Sequence, residues 1–68
     1  MKSVTGKDFC KVLEEAGWRL LRVNGSHHIF GKDGHRERIS VPVHGSSTLK
    51  PGLLAHFLKQ AGLTKRDI

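Results

Sequence analysis

The 68-residue sequence predicts an α+β sandwich in the order helix, three antiparallel strands, helix, with both helices on one face of the sheet. Three observations predict it. Apolar residues recur at helical spacing near each end of the chain, and each run is closed by a glycine. Between them lie three short stretches whose apolar residues alternate with polar ones, or nearly so. The stretches are separated by Asn24-Gly25 and Asp33-Gly34, both turn-forming pairs. Helices with one apolar stripe and a sheet with one apolar face bury most by stacking as two layers. The other sheet face is then left open. Residues 1–68 are read as a single domain, without repeats or linkers.

The first helix is expected over about residues 6–16. Thr5 and Asp8 have capping-box spacing, and Val4 and Phe9 fit a hydrophobic staple around it. Phe9, Val12, Leu13 and Ala16 form the buried stripe, and Gly17 is the stop. The first strand spans about Trp18 to Val23. Leu20 and Leu21 are adjacent and point opposite ways, so its facing is ambiguous; Leu21 and Val23 inward would put Trp18, Leu20 and Arg22 outward. Trp18 either stacks on a base or, the commoner role, anchors the helix–strand junction. Strand two runs from about Ser26 to Gly31 and strand three from about Glu37 to Val43. Pro42 has no N–H for a central ladder, so strand three is placed at an edge of a meander. The second helix covers about residues 50–61, with Pro51 in its first turn, Leu53, Leu54, Phe57, Leu58 and Ala61 on its stripe, and Gly62 at its end. Thr64 and Asp67 can cap one further turn.

Charge narrows the function. Twelve Lys and Arg against six Asp and Glu give a net charge of +6 and a pI of about 10.1. Such a surface suits a polyanion, nucleic acid above all. A lone cysteine, Cys10, excludes an internal disulfide and reads as a structural thiol. No apolar run approaches the roughly 18 residues of a membrane span. No secretory core follows Lys2 and Lys7. A soluble cytoplasmic protein is the expectation.

The stretch Gly25-Ser26-His27-His28-Ile29-Phe30 is the candidate site. With period two, His28 and Phe30 share the core face, and His27 and Ile29 the open face. A strand histidine facing away from the core can move protons near neutral pH. Antiparallel partners share a face, so the residue opposite His27 on strand three is even-numbered, Ser40 or Pro42. His44 follows near the same end. Ser26, His27, Ser40 and His44 thus meet at one rim, with Arg19, Arg22, Arg36, Arg38 and Lys50 as the surrounding charge. His28 is read as a core histidine satisfied by a neighbour, and His35 and His56 as incidental. No Cys-x-x-Cys, His-Glu-x-x-His or carboxylate cluster is present, so neither metal nor other cofactor is expected.

A histidine without a metal suits RNA. RNA carries its own nucleophile, the 2′-hydroxyl, and needs only proton transfer and charge stabilisation to be cleaved. DNA lacks that group.

The chain resembles the HicA family of bacterial type II toxins, also called YcfA-like mRNA interferases. The likeness is carried by Gly17-Trp18, by Gly25 to Phe30, by Ile39-Ser40-Val41-Pro42-Val43-His44-Gly45, by Leu49-Lys50-Pro51-Gly52 and by Leu58 to Leu63. It covers about Thr5 to Leu63, in order. The resemblance implies a double-stranded-RNA-binding-domain-like fold, α-β-β-β-α. It implies ribosome-independent mRNA cleavage, inhibition of translation, and a HicB-type antitoxin that covers the active site. It places the catalytic histidine directly after Gly-Ser, at His27. Ser26, Arg22, Arg38 and Lys50 are then the expected RNA-binding residues. Two other readings remain open: a non-catalytic RNA-binding module of the same fold, and an interaction domain whose charge serves an acidic partner.

Overall fold

A computed structural model of the chain describes residues 3–68. Its elements are α1 (Gly6–Glu15), β1 (Arg19–Asn24), β2 (His27–Gly31), β3 (Ile39–Pro42), α2 (Pro51–Ala61) and a final 3-10 turn over Lys65–Asp67. The three strands form one antiparallel sheet in chain order, β1-β2-β3. The meander and the edge position of β3 are as expected from Pro42.

Local chemistry sets the helix ends. The Thr5 hydroxyl accepts from the Asp8 N–H at 3.0 Å, and the Thr5 N–H donates to the Asp8 carboxylate at 3.4 Å, closing the capping box. Gly62 ends α2 in the left-handed region, at φ +71. Thr64 and Asp67 close a second box around the 3-10 turn. One helix end is finished from a distance: α1 has no basic residue in its last turn, and the Lys32 amine donates to the Ala16 carbonyl at 2.9 Å.

The core lies between the sheet and the helices. Phe9, Leu13, Phe30, Ile39 and Val41 are fully buried, and Phe57 stacks on Phe9 with ring centroids 5.6 Å apart. Both helices pack on β3, and α1 also reaches β1. Trp18 is buried at the helix–strand junction, which makes it an anchor and removes it as a stacking platform. His35 packs its ring on Trp18 at 5.1 Å, so this turn histidine covers part of the core rather than being incidental.

Three expectations need correction. Strand three is shorter, Ile39–Pro42 instead of residues 37–43. The first hairpin turns at Gly25-Ser26, because Asn24 still pairs with His27. Gly25 has φ +63 and no other residue type has positive φ among the described residues, so the loop has the II′ pattern with glycine first. The third correction is the facing of β1. The register slips between Leu20 and Arg22, so that Leu20 pairs with Phe30 and Arg22 with Ile29, with Leu21 as the extra residue. Leu20 and Val23 therefore point to the helix side, and Leu21 and Arg22 both point to the open face. The helices do not reach far enough to cover Leu20 and Val23, and Leu21 faces away from them, so all three stay exposed.

Candidate nucleic-acid interface

The open face is built by β2 and what pairs with it. His27 lies opposite Asn24 on β1 and Pro42 on β3. Ile29 lies opposite Arg22 and Ser40, and Gly31 opposite Arg19. Direct partners share a face, so these side chains stand together on the side without helices. Of the two positions open for the partner of His27, Pro42 is the one occupied. His28 and Phe30 pair with Val41 and Ile39 on the core side.

His27 is exposed and makes no side-chain hydrogen bond among the described residues. Both ring nitrogens are thus available to a ligand. The Val43 N–H donates to the Ser26 carbonyl at 2.7 Å, which ties the chain after β3 to the hairpin. His44, the next residue, is exposed at that end of the sheet, and its carbonyl accepts from Ser47. His28 differs from expectation: it is only half-buried and has no hydrogen-bonding neighbour among the described residues. Its rim position, where β1 is uncovered, leaves the ring open to water.

Charge in the ladder of this face has one sign. Arg19, Arg22 and Arg38 belong to it, and no carboxylate pairs in the ladder there. Arg38 precedes β3 and lies over Gly31: a methyl group on Gly31 would sit 3.1 Å from Arg38 Nη1 and 2.8 Å from Leu21 Cδ1. Leu21, Arg22, Ile29 and Arg38 line a shallow cavity of about 440 Å³. A second, of about 300 Å³, continues past Arg19 and Lys32 to Asp33 and His35. Lys50 stands apart, at the N-cap of α2 in the helical layer. Among the described residues no three His, Cys, Asp or Glu side chains gather where they could hold a metal ion. Cys10 is buried in α1, where burial, and then the nearby Glu14 carboxylate, push its thiol up to about 11. It is a packing residue and no nucleophile.

Of the residues singled out in the sequence, His27, Arg19, Arg22 and Arg38 are brought to this face. Leu21 and Gly31, which join them there, were not singled out. The signal was the Leu20-Leu21 pair itself, since two adjacent apolar residues in a strand that has one wet face are what a bulge accommodates.

An antiparallel three-stranded sheet with two helices on one face and arginines on the other defines a small α+β protein with a basic sheet surface. The family model described as the HicA toxin of bacterial toxin–antitoxin systems matches residues 6–63. The chain belongs to the HicA toxin family. A solved structure described as the HicA3 and HicB3 toxin–antitoxin complex contains a chain that is 30% identical. The match covers 87% of this chain and 94% of that one, with a TM-score of 0.68. Its likeness confirms the α-β-β-β-α order. No curated protein matches. No helix among the described residues is long and apolar enough to cross a membrane.

Proposed function

We propose that the chain is a metal-independent endoribonuclease that cleaves mRNA, and so stops translation, with His27 as general acid or base. The observation that carries this reading is the placement of His27. It is exposed, its ring makes no hydrogen bond among the described residues, and it is fixed at the start of a strand in an open face whose only charged side chains in the ladder are arginines. In the reaction the 2′-oxygen attacks the adjacent phosphorus and loses its proton, while the bond from phosphorus to the 5′-oxygen breaks and that oxygen gains one. The products are a 2′,3′-cyclic phosphate and a 5′-hydroxyl. His27 serves one of the two proton transfers, and help of this kind is worth roughly 10²–10⁴ in rate. Arg22 and Arg38 hold the phosphates and stabilise the charge that develops. Ser26, in the turn before His27, offers a hydroxyl to the same backbone. Lys50, in the helical layer, adds longer-range attraction.

The partner that silences the toxin is a HicB-type antitoxin, as in the complex that contains the similar HicA3 chain. The site of action is the cytoplasm, where mRNA is translated.

A cleavage assay on a long single-stranded RNA in EDTA tests the reading. The native chain yields fragments ending in 2′,3′-cyclic phosphate, and folded His27→Ala does not. Equal cleavage by both removes His27 from the chemistry. RNA binding with no fragments from either favours the non-catalytic module.

A further inference from the structure

We infer that Leu21, Arg22, Ile29 and Arg38 form a subsite for one nucleotide of single-stranded RNA, next to the nucleotide that His27 cleaves. The inference rests on the cleavage reading for its adjacency to chemistry, but the subsite itself is a binding claim that stands or falls separately.

The four side chains surround a cavity of about 440 Å³. Its composition suits a nucleotide: two apolar side chains for the flat base and two guanidinium groups for the phosphates. Neither guanidinium is engaged in a side-chain hydrogen bond among the described residues. Both therefore have their forked donors free for phosphate oxygens. No carboxylate lines the cavity to repel an anion. All four aromatic side chains of the sequence, Phe9, Trp18, Phe30 and Phe57, are buried in the core. A base in this cavity consequently has no Phe, Tyr or Trp ring to stack on, and a guanidinium plane or an aliphatic surface must take that part.

Two backbone features make the cavity. The bulge sets the neighbours Leu21 and Arg22 on the same face, where a regular strand would have set them on opposite faces. Gly31, without a side chain, lets two of the lining residues, Leu21 and Arg38, close over it, and any larger residue there meets both. Ile29 and His27 are two residues apart on one face of β2, so the cavity lies roughly 7 Å along the strand from the histidine. An RNA backbone crossing the face reaches His27 and the cavity with neighbouring nucleotides.

The test is equilibrium binding of short oligo(A), oligo(C) and oligo(U) ribonucleotides to the full chain carrying His27→Ala, so that no substrate is consumed. Leu21→Ser, Gly31→Val, Arg22→Ala and Arg38→Ala are each added to that background. Leu21 is an exposed residue and Gly31 meets only side-chain ends, so these variants keep the fold, which a thermal melt verifies. Each arginine variant is expected to weaken all three oligomers roughly tenfold and to lower the slope of log affinity against log salt by about one. Leu21→Ser and Gly31→Val are expected to weaken binding roughly fivefold, to change the ranking of the three bases, and to leave the salt slope alone. Folded Leu21→Ser and Gly31→Val chains that bind every oligomer as the parent does overturn the subsite. So does a loss of antitoxin binding with RNA binding intact, which makes the patch a protein interface. If the native chain cleaves nothing while these losses persist, the catalytic reading fails and the subsite stands.

Discussion

His27 and Pro42 face each other across β2 and β3 as a non-hydrogen-bonded pair. The bond that flanks them runs from the Val43 N–H to the Ser26 carbonyl, one residue beyond on each strand. In such a pair the Cα atoms approach to about 4.5 Å, closer than in the hydrogen-bonded kind, and the side chains lie against one another. The missing N–H of Pro42 points away from β2 and costs the ladder nothing. The strand's one proline is therefore placed where it is harmless to the sheet and where its rigid ring stands beside the imidazole.

Pro42→Ala should separate these two effects. Stability is expected to change by less than about 1 kcal/mol, because no ladder bond is gained or lost against β2. Cleavage of RNA should slow several-fold at saturating substrate, with RNA affinity unchanged, because the ring that limits the His27 rotamers is gone. Rates and binding constants measured on the same preparation check this. A loss confined to affinity would mean that Pro42 touches the RNA and leaves His27 alone.

Gly6 has a stricter role on the other edge of β3. It is the first residue of α1, and a methyl group there would overlap the Pro42 carbonyl oxygen and crowd Val43 Cα. Both neighbours are backbone, so neither can swing aside. Gly6→Ala is expected to cost about 2–3 kcal/mol and, in a domain of this size, to lower Tm by more than 10 °C. Urea unfolding of the pair of proteins measures it. An unchanged midpoint would show that α1 can pivot away from the strand without loss.

Local signals in this chain were legible and distant ones were not. Thr5 and Asp8, Pro51 and Gly62, and Thr64 and Asp67 act on neighbours in sequence, and each does in the structure what its spacing promised. Pro42 placed β3 at an edge, and alternation put His28 and Phe30 on the core side. The facing of β1 was illegible because Leu20 and Leu21 satisfy either register until Ile29 and Phe30 choose between them. The end of α1 was half legible: Gly17 marked the stop, but its cap comes from Lys32, sixteen residues beyond Ala16. For the candidate site, His27 was found from its period and its motif. The cavity beside it depends on a bulge in β1 and on Gly31, which directly follows the motif's last residue but matters only through side chains from β1 and from the stretch before β3.

Lys32 yields a test of that distant cap. Its amine reaches the Ala16 carbonyl from the β2–β3 turn, at the negative end of the α1 dipole, and its stem covers Gly17. Lys32→Met keeps the stem and removes the donor. The expected cost is about 1 kcal/mol, from one charge-assisted hydrogen bond and the dipole together. Hydrogen exchange adds a positional readout: amides of the last turn of α1 should lose protection first, and those of α2 should not respond. A uniform change along the chain would refer the effect to overall stability instead of to the cap.

Cys10 makes the fold sensitive to alkali. Its thiol ionises near 9.0 when unperturbed, and burial, with Glu14 adding to it, raises that to about 11 in the folded chain. Between these values the unfolded chain gives up the thiol proton and the folded chain keeps it. The folded state then binds more protons, so stability falls as pH rises across the window from about 9 to about 11, and is fully present below it. The total is on the order of 2 kcal/mol. Other groups also titrate there, so the informative quantity is the difference between the native chain and Cys10→Ala. The variant starts lower at pH 8, having lost a buried side chain, and the gap should narrow by pH 11. Alkylation gives the kinetic counterpart: at pH 8 the folded thiol should react with iodoacetamide far more slowly than the unfolded one. A constant gap together with rapid alkylation of the folded chain would place Cys10 in contact with water, contrary to its position in the core.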